Sequence, residues 1–204
     1  MFVGLVIAAG QTAPVQAGTP GDTLVMAKNI DDIITLDPAE VFEFTGGEVI
    51  ANIYDRVMMF EAEDLTTLVG GAAESYTISD DGKTITLKLR PNQKFHSGNM
   101  MTAADMAFSL QRVIKLNKTP SFIFTQFGWN ADNVDSLVTA PDDSTVVVKL
   151  NSDLSPALAL NALSAGVGAV IDMKLVMSHE IDGDLGYEWL KNHSAGSGPY
   201  SLKT

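Results

Sequence analysis

Residues 79–113, SDDGKTITLKLRPNQKFHSGNMMTAADMAFSLQRV, decide the fold class. Asp80-Asp81-Gly82 is a tight turn, because glycine takes a positive φ without a Cβ clash. From Thr84 to Leu89 apolar and polar residues alternate, so Ile85, Leu87 and Leu89 share one face of a strand and Thr84, Thr86 and Lys88 the other. Pro91 has no N–H to give to a ladder and ends the strand. Thr102 is a helix N-cap, with Asp105 placed three residues on as in a short capping box. Ala103, Met106, Ala107, Leu110, Val113 and Ile114 then recur at helical spacing. Phe108 lies off that stripe, which predicts that the helix touches a second surface. A strand followed by a helix with a complementary stripe makes the chain α/β.

Working outward, Thr23–Ala27 (TLVMA) reads as a buried strand, and Glu48–Met58 as a helix with Val49, Ile50, Ile53 and Val57 on one side. Val41–Gly47 between them is loop-like, with two aromatics and a glycine pair. Downstream, Thr119–Asn133 holds Phe122, Phe124, Phe127 and Trp129. Val134–Thr139 and Thr145–Leu150 form a second hairpin about the turn Pro141-Asp142-Asp143-Ser144. Ser155-Pro156 is an N-cap followed by proline at the first helical position, opening a helix through Leu163. Ala165–Ile171 (AGVGAVI) reads as a small-residue strand.

The 204 residues carry 46% hydrophobic and 19% charged side chains, a globular composition. The net charge of −12 argues against nucleic acid or an anionic membrane surface as the main partner. With no cysteine, thiolate catalysis, disulfides and Cys-ligated zinc are excluded. Phe2–Ala9 is an apolar run followed by small and polar residues and Val15-Gln16-Ala17. It reads as the remnant of a secretory signal peptide, residues 1–17, although the first cation is Lys28. The run is too short to span a bilayer, and the mature protein is expected to be exported.

The run SDDGKTITLKLRPNQKFHSG, followed by TAADMAFSLQRV, resembles a characteristic region of extracellular solute-binding proteins of the peptide/nickel class. Thr35-Leu36-Asp37-Pro38, Tyr54-Asp55-Arg56-Val57, Leu68–Ser75 and Gly196-Ser197-Gly198-Pro199-Tyr200 extend the likeness. Ser97 stands where that family commonly has Asp, and Arg56 where it has Pro. The resemblance implies part of a two-lobed periplasmic-binding-protein fold of type II. Residues 18–40 would begin the first lobe, 41–164 form its smaller subdomain and 165–204 return to the first lobe. The second lobe, which closes over the ligand, would lie outside this chain. The implied role is capture of a di- or oligopeptide in the periplasm for the permease subunits of an ABC importer, as a monomer, with hinge closure and no chemistry or cofactor. The resemblance also implies that three segments border the ligand. These are Phe42, Phe44, Thr45, Gly46 and Gly47; the aromatic wall Phe124, Phe127 and Trp129; and Gly166 and Gly168. Bare backbone at the glycines would let a solute approach closely.

Alternatives remain open at this level. The same fold can take a nickel chelate, a sugar or an opine. A secreted hydrolase would use His96 with nearby carboxylates, but no G-x-S-x-G elbow or H-E-x-x-H is present. An interaction protein without a ligand is a third class. Gly166-x-Gly168 and Gly196-x-Gly198 lack the full spacing of phosphate loops. Glu180, Asp182 and Asp184 lack the later bidentate glutamate of a calcium loop, so no metal site is expected.

Overall fold

In a computed structural model the described residues are 21–203. The expected signal segment 1–17 lies outside them. The Ser79–Val113 stretch forms the centre as expected. β3 (Ala73–Ile78) turns through Asp80–Gly82 into β4 (Thr84–Leu89), with Gly82 at φ 68°. β5 (Val138–Asp142) and β6 (Thr145–Lys149) form the second hairpin, and the antiparallel sheet runs β3-β4-β6-β5. Leu87 pairs with Val146 and Ile85 with Val148, which puts all four on the covered face, while Leu89 is only half-buried at the strand end. A short hairpin of β1 (Met58–Phe60) and β2 (Leu68–Gly70) precedes them.

Helix α2 (Ala103–Leu116) lies on that face. The Asp105 carboxylate accepts from the Thr102 N–H at 2.8 Å and its hydroxyl at 2.7 Å, closing the first turn. The last turn ends on Asn117 in the left-handed region. Met106, Leu110 and Val113 are buried against the sheet in the main core, which also takes Phe124, Phe127, Trp129 and Leu160. The predicted second surface exists. Phe108 leans on a smaller cluster of Val41, Ile50, Ile53, Tyr54, Ile171, Val176 and Leu190. On that side Arg112 donates to both carboxylate oxygens of Asp37, at 2.8 and 2.6 Å, and to the Leu185 carbonyl at 2.8 Å. Both ionic groups are buried.

Four segments depart from the sequence expectation. Thr23–Ala27 is an exposed coil, with Leu24 87% exposed, because no partner strand lies beside it among the described residues. The helix expected over Glu48–Met58 is α1, Phe44–Ile53, so it takes in the last part of the expected loop. It stops there because Gly198 and Tyr200 donate their N–H groups to Ile53 and Asn52 carbonyls, at 3.1 Å each. A Cβ on Gly196 would lie 1.9 Å from the Ile53 oxygen, so the Gly-Ser-Gly motif is a close backbone approach onto the helix end. Ala165–Ile171 is a 3-10 turn at Gly166–Gly168 followed by a single bridge from Ala169 to Arg56. Gly168 sits so tightly under the Leu163 carbonyl that the chain must turn there instead of running straight. In the second hairpin, Val134–Leu137 is one helical turn, α4, before β5 begins. Ser155 caps α5 (Pro156–Ala162) as expected, accepting from the Ala157 N–H at 3.2 Å.

Candidate functional site

A groove of about 240 Å³ opens where α1, the Thr119–Ser121 turn with its following helical turn α3 (Phe122–Thr125), and the 165–167 segment meet. Its walls are Pro38, Val41, Phe42 and Glu43 before α1, Gly47, Ile50 and Ala51 on it, Pro120 and Ile123, and Ala165, Gly166 and Val167. Arg56 completes the lining. Most of this surface is apolar, with one basic and one acidic side chain among its residues. Phe42 meets Phe122 edge-on with ring centroids 5.7 Å apart, which joins two of the walls.

The structure therefore brings together named residues of two of the three expected segments, while from the aromatic one only the unnamed Ile123 reaches the groove. Phe42, Gly47 and Gly166 line the groove. An added Cβ at Gly47 or Gly166 would meet nothing within 4 Å, so both present open backbone. Thr45 is buried with its N–H 3.3 Å from the Asp32 carboxylate, and Gly46 is packed against the Glu43 carboxylate. Phe44 points to solvent, 96% exposed, outside the lining. Gly168 is covered by Leu163.

The aromatic wall has to be corrected. Phe124 and Phe127 are 0% exposed and Trp129 2%, so none offers a face to a solute. Their rings tilt against one another at 5.6 and 5.9 Å centroid distances, and the indole N–H donates to the Lys149 carbonyl at 2.8 Å. A buried indole needs such an acceptor. One turn of α3 sends Phe124 inward and leaves Phe122 exposed, so the groove takes its apolar wall from Phe42 and from Ile123, which is partly buried against the core.

Arg56 was not anticipated as a site residue. The signal in the sequence was Arg56 itself, a cation beside Asp55 at the position where the chain departs from the family pattern it resembles. Its backbone is fixed on both sides. Val57 N–H donates to Gly168 O at 2.9 Å, Val170 N–H to Asp55 O at 2.9 Å, and Ala72 N–H to Arg56 O at 2.8 Å. The half-buried guanidinium donates through Nη1 to Ser164 O at 2.8 Å, and burial lowers its pKa from the ordinary value. Glu43 accepts from the Phe42 N–H at 3.0 Å and, more weakly, the Ile34 N–H at 3.4 Å.

The other polar candidates are structural. His96 bonds through Nε2 to Gly198 O at 2.8 Å. The Asp184 carboxylate accepts from the N–H groups of Ile181, Gly186 and Glu188, at 3.0, 2.8 and 2.9 Å, and closes its own turn.

Comparison with known proteins places this architecture. Residues 67–204 match the family model described as bacterial extracellular solute-binding proteins, family 5 Middle. The chain is 30% identical over 191 residues to the probable D,D-dipeptide-binding periplasmic protein DdpA of Escherichia coli K12, covering 92% of this chain and 34% of that one. It is 27% identical over 166 residues to the glutathione-binding protein GsiB of Pectobacterium atrosepticum, covering 81% and 29%. Among solved structures, the substrate-binding domain of an oligopeptide ABC transporter from Bacillus anthracis superposes with a TM-score of 0.64 at 28% identity, over 72% of this chain and 30% of that one. The chain thus spans about a third of the length of these relatives. Its mixed α/β arrangement is theirs, and the chain belongs to the family 5 bacterial extracellular solute-binding proteins.

Proposed function

We propose that this chain supplies one wall of a solute-binding cleft in the exported binding component of an ABC importer, and that the solute is a di- or oligopeptide. The observation that carries the proposal is the groove: segments far apart in sequence contribute apolar bulk at Phe42, Ile50 and Ile123 and open backbone at Gly47 and Gly166. A peptide fits such a surface, with side chains laid on the apolar walls and its main chain free to approach closely where no side chain obstructs, although the Gly47 N–H itself is held by the Glu43 carbonyl at 2.9 Å. The relatives named as dipeptide-, glutathione- and oligopeptide-binding favour this class over a nickel chelate, sugar or opine. The smaller subdomain is taken as 41–164, flanked by first-lobe residues 18–40 and 165–204. Closure of a second lobe over the groove would then desolvate the ligand and present the complex to permease subunits. Capture and release need no catalytic group, and the protein acts as a monomer in the periplasm. No helix among the described residues is long and apolar enough to cross a membrane. Amino-terminal sequencing of the exported form should begin at Gly18, and Met1 or Phe2 there would remove the signal-peptide assignment.

Calorimetry on the full-length gene product tests the ligand class. Saturable one-to-one binding is expected for peptides such as tri-alanine, glutathione or D-Ala-D-Ala. Binding of nickel–histidine or a sugar with no response to any peptide would overturn the proposal, as would turnover of peptides or esters by the purified protein.

A further inference from the structure

We propose that Arg56 is an anchor for a carboxylate of the solute, and so fixes which end of a peptide enters this groove. The inference rests on the peptide reading above and adds a polarity to it. Three observations carry it. First, the guanidinium lies in the groove wall while its backbone is held in short ladders to residues 168–170 on one side and Gly71–Ala72 on the other, so the position of the charge is built in. Gly71 belongs to that frame, because a Cβ there would lie 2.1 Å from the Arg56 carbonyl oxygen.

Second, the guanidinium is under-used. Of the five N–H groups an arginine offers, only Nη1 has a protein acceptor among the described residues, the Ser164 carbonyl at 2.8 Å. No carboxylate among the described residues forms an ion pair with it. Glu43 lines the same groove but is occupied with backbone N–H groups. A half-buried fork with free donors is matched in shape and charge by a carboxylate, which accepts two parallel N–H bonds.

Third, the groove that the charge lines is mostly apolar. Val41, Ile50, Ile123 and Val167 belong to the same lining, and a charge-assisted hydrogen bond is stronger where water is scarce. The cost of burying the charge, which lowers its pKa, is offset when an anion pairs with it. The Ser164 carbonyl keeps the fork oriented in the meantime.

The test compares tri-alanine and D-Ala-D-Ala, each as the free acid and as the carboxy-terminal amide, by calorimetry on the full-length gene product. The free acid should bind the parent about tenfold or more tightly than its amide. Arg56→Gln should remove that difference by weakening the acid and leaving the amide unchanged. Arg56→Lys should recover part of it, as a point charge without the fork. Melting curves of each variant separate lost binding from lost folding, and the acid-to-amide ratio of the parent decides the matter even if a variant does not fold. Equal affinity of acid and amide for the parent overturns the anchor while leaving peptide binding intact. If no peptide binds in either form, the peptide reading fails, and mass spectrometry of the co-purifying solute decides the anchor. A carboxylate-bearing solute that Arg56→Gln no longer retains supports it. A solute without a carboxylate, one retained equally by Arg56→Gln, or none at all overturns it.

Discussion

Asp172 is fully buried and shared among three donors. Ser97 Oγ donates to its Oδ2 at 2.5 Å, Asn99 Nδ2 to the same oxygen at 2.8 Å, and Leu175 N–H to Oδ1 at 2.9 Å. The carboxylate thereby caps α6 (Met173–Met177) and ties the loop before α2 to it. Serine suits position 97 because its hydroxyl donates to that carboxylate without adding charge. An aspartate at this exposed position would bring a second carboxylate against the buried Asp172, and two carboxylates in contact cannot both ionise easily. Ser97→Asp should destabilise the protein at neutral pH. One carboxyl pKa is then raised in the folded state above its unfolded value. The stability that its proton preserves is present at low pH and lost as pH rises through the raised pKa. Thermal melts should therefore show the gap to the parent narrowing as pH falls toward about 5. A gap independent of pH would mean that the added carboxylate swings out to solvent. Ser97→Ala, which removes a donor without adding charge, should cost about 1–3 kcal/mol with little pH dependence in that range.

At the scale of elements, α2 is the piece on which the rest depends, because both clusters use it. The sheet side is held by apolar packing. The opposite side is held by the Arg112–Asp37 pair, which links the segment before α1 to the loop at Leu185. Asp37→Asn strands a buried guanidinium with half its partner, and a loss of about 3–5 kcal/mol is expected in denaturant melts. Adding Arg112→Met should cost less than the sum of the two single changes, the mark of a coupled pair. A loss below about 0.5 kcal/mol for Asp37→Asn would show that the pair is solvated. What the sequence conveyed about these elements follows from where their determinants lie. β4 and α2 were legible because alternation, helical spacing and the Thr102–Asp105 cap all reside within the element. The extent of α1 was not, because its end is set by Gly196–Tyr200, about 140 residues away. TLVMA and AGVGAVI look like strands by composition, yet a strand exists only with a partner, and here one has none beside it among the described residues and the other is turned by Gly168. The same limit misled the aromatic segment, since density alone does not say which rings face inward. Trp129→Ala should accordingly cost about 3–5 kcal/mol of stability, with unchanged peptide affinity in whatever fraction remains folded. A clear loss of affinity at parent-like stability would return the indole to the groove.

At the scale of the molecule, the groove exists because α1, the α3 turn and the 165–167 segment are each fixed by contacts elsewhere and leave a gap where they meet. Such a surface was legible only in part. Phe42, Gly47 and Gly166 carried a signal in their composition, whereas Ile50, Ile123 and Val167 look like ordinary core residues, and Arg56 is a single charge whose exposure depends on tertiary placement. Function and stability make opposite demands at one of these positions. Gly47 sits within α1, where glycine costs roughly 0.5–1 kcal/mol relative to alanine. No atom lies within 4 Å of where its Cβ would be, and its φ is not in the left-handed region, so neither sterics nor backbone strain requires glycine. If the bare backbone serves the solute, filling it should separate the two demands. Gly47→Ala should raise stability by about 0.5–1 kcal/mol. Gly47→Leu, with similarly good helix propensity but a side chain reaching into the groove, should hold stability at or above the parent and weaken peptide binding. The affinity loss should grow from alanine to leucine while the melting temperature does not fall. A leucine variant that binds peptide like the parent would place the ligand away from α1, and the groove would then be only a gap between packed elements.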